Sequence, residues 1–60
     1  MKLLTLPEVA EMLRKSEAQL RWMRHTGSGP RCAKLGGRVV YREQDVIDWV
    51  NAAFDAAATR

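Results

Sequence analysis

Cysteine, histidine and proline are nearly missing from this chain. Cys32 stands alone, so no internal disulfide can form. His25 is the single histidine, and one Cys with one His cannot make the usual zinc sets. No apolar run approaches the roughly 20 residues a membrane span needs. Glu8 and Glu11 interrupt the apolar core a signal peptide would require near Met1. Internal repeats, linkers and low-complexity tracts are also lacking. The 60 residues set a ceiling of one domain, residues 1–60. A domain of that size buries only about 60% of its unfolded surface, so the core is thin. No His, Cys or Ser is arranged as a nucleophile pair, and Asp45 and Asp48 lie on an ordinary helix. Neither an enzyme nor a cofactor is expected. A soluble protein of a reducing compartment fits these absences.

Acid is scarce in most of the chain. Residues 1–42 carry nine Lys and Arg against Glu8, Glu11 and Glu17, a net of +6. Residues 43–60 carry Arg60 against Glu43, Asp45, Asp48 and Asp55, a net of −3. The overall +3 conceals a basic body and an acidic tail. A basic body suits an anionic partner; a solvated surface is the plain alternative.

Local signals divide the chain into elements. Thr5 with Glu8 forms a capping box, Pro7 fits a first turn, and Leu4 and Val9 are placed as a hydrophobic staple. Leu6, Val9, Ala10 and Leu13 follow one helical face, which predicts a helix over about 6–14. Ser16 and Gln19 form a second box opening a helix over about 17–26, with Gly27 as its left-handed cap and Pro30 beyond. Two short helices joined by three residues read as a helix-turn-helix. "RCAKL" and "RVVYR" flank Gly36-Gly37, a hairpin signal because both turn positions tolerate positive φ; a hinge is the alternative. A nucleotide loop would need more glycines and a helix directly after. "REQDVIDWVNAAFDAAA" predicts a last helix, with Val46, Val50, Ala53 and Ala57 on one face, Ile47 and Phe54 beside them and Trp49 on a flank. The expected fold is mainly α with a small β-hairpin: a winged helix-turn-helix of two helices, a two-stranded wing and a C-terminal helix.

On the second helix Leu20 and Met23 mark the inward side. Ala18, Arg21, Trp22 and His25 fall on the opposite side, with Arg24 and Glu17 at its edges. Such a face can enter a major groove, and Ser16 with the first-turn N–H groups can hold a phosphate. Trp22 either leans into the core or lies against the sugars and thymine methyls. His25 is either a backbone contact or simply exposed. Glu17 either accepts from a cytosine amino group or complements the helix dipole, the dipole being favoured. Cys32 is expected to be a small buried apolar residue. In the wing, Lys34 and Arg38 bracket the turn, and Gly36 and Gly37 allow close backbone approach to a phosphate or a minor groove.

The stretch "LPEVAEMLRKSEAQLRWMRHTGSGPRCAKLGGRVVYREQDVIDWV" resembles the small excisionase-like, MerR-related winged helix-turn-helix domains of phages and bacteria. It is similar in particular to the excisionases, or recombination directionality factors, of actinobacterial phages. The likeness covers about residues 4–50 and is most specific at Gly29-Pro30, Gly36-Gly37-Arg38, Tyr41-Arg42, Asp45 and Trp49. It implies a cytoplasmic, non-catalytic protein that binds double-stranded DNA at repeated sites beside an attachment site. Such proteins often bind cooperatively, bend the DNA and assist an integrase. It places Arg21, Trp22, Arg24 and His25 on the DNA-reading helix and Lys34, Gly37 and Arg38 in the wing. The chain departs from the family at Arg14-Lys15, where Gly and a small apolar residue are common; these two charges are within reach of phosphates. Trp22 stands where an arginine is common, so base specificity does not carry over. Residues 51–58 run past the usual ending, and Phe54, Ala53 and Ala57 either lengthen the core or meet another protein. A small transcriptional regulator, or a protein-interaction or antitoxin-like module, are the competing functions.

Overall fold

A computed structural model describes residues 1–58; Arg60, counted above in the charge of the tail, lies outside them. The chain runs β1 (Leu3–Thr5), α1 (Leu6–Met12), α2 (Glu17–Thr26), β2 (Cys32–Leu35), β3 (Arg38–Arg42) and α3 (Glu43–Ala58). The fold is a winged helix-turn-helix: mainly helical, with a β-hairpin wing.

Both helix starts form as their residues dictate. Thr5 Oγ1 accepts from the Glu8 N–H at 3.3 Å, and Glu8 Oε1 accepts from the Thr5 N–H at 2.8 Å. Ser16 and Gln19 repeat the exchange at 3.1 and 3.0 Å. Each cap typically stabilises its helix by about 1 kcal/mol. The two hydrogen bonds from Thr5 hold the Glu8 carboxyl below its ordinary 4.5. The first box is therefore intact above that value and weakens as pH falls through the lowered one.

The helix ends match each other in hydrogen bonding and differ in residue type. After α2, Ser28 N–H donates to Met23 O at 2.9 Å and Gly27 N–H to Arg24 O at 3.4 Å, with Gly27 at φ 74°. After α1, Lys15 N–H donates to Ala10 O at 2.9 Å and Arg14 N–H to Glu11 O at 3.1 Å. Both are Schellman motifs, which want a left-handed residue. In the first that residue is Arg14, at φ 56° the only positive-φ non-glycine among the described residues. This ends α1 at Met12, two residues before the expected Arg14. A left-handed L-residue costs about 1–2 kcal/mol, and glycine gives part of that back as unfolded-state entropy. Arg14→Gly is therefore expected to stabilise the domain by about 0.5–1 kcal/mol, read as a higher midpoint in thermal unfolding.

The wing is the expected two-stranded hairpin, β2 with β3. Leu3–Thr5 adds a third strand to its sheet, in the antiparallel order β1-β3-β2. Leu4 sits opposite Tyr41, and Cys32 faces Tyr41 from the other side. Gly36 and Gly37 take φ 56° and 85°, the two positive values a type I′ hairpin turn requires. The turn is a hairpin, not a hinge.

One side of the sheet and all three helices meet in a core of Leu4, Leu6, Val9, Ala10, Leu20, Tyr41 and Val46, with Leu13, Cys32 and Val39 packed at its edge. Cys32 is half-buried, short of the expected full burial, because β2 is an edge strand. Tyr41 is 1% exposed and its hydroxyl has no hydrogen-bond partner among the described residues. Burial, and then the neighbouring Cys32 thiol, raise its pKa above the ordinary 10.0. The stability tied to the neutral phenol holds below pH 10 and is lost as pH climbs through the raised value. On α3 only Val46 is buried; Trp49 and Val50 are half-buried. Ala53, Phe54 and Ala57 are exposed, so the helix extension does not lengthen this core.

Candidate nucleic-acid interface

The second helix of the turn is fastened to the body by one fully buried side chain, Leu20. Met23 is half-buried beside it, and the rest of α2 is exposed. With Leu20 inward, helical geometry turns Ala18, Trp22 and His25 outward. Trp22 is 66% exposed, which settles its direction: it points away from the core. Its ring lies 6.1 Å from that of His25, tilted by 32°, so the two form a small aromatic shelf on the open side of the helix.

Two flanks border this shelf. Toward the sheet, a groove of about 400 Å³ is lined by Thr5, Leu6, Glu17, Arg21, Arg38 and Val40, among others. It brings Arg21 of α2 together with Arg38 of the wing. On the other flank Lys15, Ala18, Gln19, Trp22 and Met23 line a shallower depression. Ser16, at the start of α2, carries both its own capping bonds and an exposed position there. Arg24, one turn along α2 from Leu20, is exposed.

Not every predicted residue joins this face. Arg14 lines a different groove, with Met12, Leu13 and the α3 residues Trp49, Val50, Ala53, Phe54 and Ala57, and Lys15 borders both. In the wing, Lys34 pairs with Val39 while Leu35 pairs with Arg38. Strand alternation therefore sends Lys34 and Arg38 to opposite faces of the ribbon, so they do not jointly bracket the turn on one side. Gly36 and Gly37 form an exposed tip with open space where a Cβ would be.

Two features lay outside the sequence reading. Leu35 is 54% exposed beside the glycine tip; as an apolar residue in a short strand it gave no signal of an outward position. Glu17, expected at the helix dipole or on a cytosine amino group, stands in the first turn of α2 with its Oε1 3.3 Å from Arg21 Nη2. The i,i+4 spacing was the available signal.

Charge is distributed accordingly. Arg42 Nε bonds Asp45 Oδ2 at 2.6 Å and Lys2 Nζ approaches Glu43 Oε2 at 3.6 Å, so acids of α3 partner these two cations. Among the described residues Arg14, Lys15, Arg24, Arg31, Lys34 and Arg38 form no ion pair; Lys15, Arg24, Lys34 and Arg38 lie at α2 and the wing, Arg14 and Arg31 in other grooves. No helix among the described residues is long and apolar enough to cross a membrane.

No curated protein and no solved structure matches the chain. A family model described as a helix-turn-helix domain matches residues 3–53, the span from β1 into the last turns of α3. The chain therefore belongs to the helix-turn-helix domain family, and the activity this membership indicates is binding of double-stranded DNA.

Proposed function

We propose that this protein is a non-catalytic, architectural DNA-binding factor of the excisionase type. The observation that carries the reading is the groove where Arg21 of the reading helix and Arg38 of the wing converge. With α2 in a major groove and the glycine tip at the adjacent minor groove, the intervening phosphate backbone would run along that groove. Two arginines from different elements would then grip one strand, a contact that fixes register without reading sequence. Pressing a wing into the minor groove while neutralising phosphates on one side favours a bent duplex. The helix-turn-helix family includes excisionase-like members, and an integrase is the partner this reading assigns.

Cooperative self-association belongs to the same reading. Phe54 is 70% exposed and, with Trp49, Val50, Ala53, Ala57 and Met12, lines an open apolar groove of about 420 Å³. On DNA carrying several sites, Phe54→Ala is expected to lower cooperativity while leaving single-site affinity intact, as read by sedimentation velocity. Footprinting on the attachment region of the source genome tests the function as a whole. Several adjacent protected sites with altered bending are expected. A single site over a promoter would instead favour a transcriptional regulator.

A further inference from the structure

Among the described residues Glu17 is the one acidic side chain in the groove shared by Arg21 and Arg38. Folding asks little of it beyond its first-turn place at the helix dipole. The start of α2 is already capped by Ser16 and Gln19, and the Glu17 and Arg21 side chains are 49% and 62% exposed. Pairs of that kind contribute little to folding. In a DNA-binding face, however, a carboxylate on the guanidinium occupies the place a phosphate would take, since each offers anionic oxygens to arginine's planar fork of donors.

We infer that Glu17 sets specificity: it holds Arg21 away from phosphate until a base amino group takes over its carboxylate. This rests on the DNA-binding reading above and adds a residue to it. Residues in the first turn of a reading helix are those that reach base edges. In the major groove the group that suits a carboxylate is an amino donor, with cytosine N4 its standard partner. At a cognate site the exchange balances: Arg21 gains a phosphate oxygen and Glu17 gains an N–H. On other DNA the freed carboxylate faces phosphate with no donor. Arg21 then stays with Glu17 and contributes nothing, or binds phosphate beside an uncompensated negative charge.

Glu17→Gln keeps the size of the side chain and removes its charge. The test measures binding of wild type and variant to a mixed-sequence duplex across a salt series, and selects preferred sites from a randomised duplex pool. Wild-type pools are expected to fix a C·G pair under the first turn of α2, and variant pools to relax that pair alone. Affinity of the variant for mixed-sequence DNA is expected to rise about two- to tenfold, as one fewer repulsive charge near phosphate allows. Its log–log salt slope should steepen by up to about 0.9, one phosphate. The gain should shrink in an Arg21→Ala background, which a role in helix stability alone would not produce. An unchanged site preference, or an equal gain with and without Arg21, overturns the inference. Absence of salt-dependent binding by the wild type to any duplex would instead remove the DNA-binding reading beneath it.

Discussion

Leu20→Ala is expected to leave most of the protein unfolded at room temperature. Leu20 is 0% exposed and is the only buried residue of α2. Truncating a buried leucine costs about 2–5 kcal/mol, more where the site cannot collapse. A core supplied by seven buried hydrophobic residues leaves little in reserve. For domains below about 70–80 residues, a single core rarely supplies more than about 3–5 kcal/mol. The two figures are of equal size, so one substitution consumes the margin. Urea titration followed by circular dichroism should show the midpoint moved to near zero denaturant. Isoleucine at the same position, which conserves volume, should cost less than about 1.5 kcal/mol. Equal behaviour of the two variants would mean that α2 is held by something other than this side chain.

The second large effect lies on DNA. Arg21→Ala with Arg38→Ala is expected to weaken duplex binding about 100-fold near physiological salt, taking about 1.4 kcal/mol, or tenfold, for each charge-assisted phosphate contact. Two lost contacts should also reduce the salt slope by about 1.8. The Arg38 share of the loss should be uniform across sequences, because phosphate contacts carry no sequence information, and the Arg21 share should be largest at a preferred site, where Glu17 releases it. Arg42→Ala supplies the control. Arg42 is engaged by Asp45 at 2.6 Å and lies away from the groove, so its loss should leave the slope unchanged. Full affinity in the double variant would remove the proposed face.

Much of this fold is written in short-range chemistry. Thr5 and Glu8, Ser16 and Gln19, and Gly36-Gly37 each act over four residues or fewer, and each formed as expected. The second helix was legible to its last residue because Ser16 opens it and Gly27 closes it. What was not legible depends on distant partners. Leu3–Thr5 became a strand because β3, some 35 residues on, had a free edge; a three-residue segment carries no periodicity that could say so. The end of α1 was misjudged because Arg14 gives no sign of its left-handed turn, which glycine would have announced. In the interface, helical spacing put Ala18 and His25 on the outward side, and Trp22, open between core and exterior in the sequence, is decided by its exposure. The groove between α2 and the wing required the docking of one element on another, whereas the pairing of Glu17 with Arg21 was open to reading in their i,i+4 spacing.

The strand order has a consequence for how the chain is made. Leu3–Thr5 pairs with residues 40–42, and the Glu43 N–H donates to the Lys2 carbonyl at 2.9 Å. The sheet thus joins residues 3–5 to a segment some 35 positions further on. On a ribosome adding about 5–20 residues per second, α1 and α2 can emerge early, but β1 waits for β3. Until Arg42 leaves the exit tunnel, Leu4 has no Tyr41 to face and the apolar side of both helices stays open. Closure of that long loop then brings Leu4 onto Tyr41, and contacts so distant in sequence slow folding. Val46 of α3 follows and closes the core.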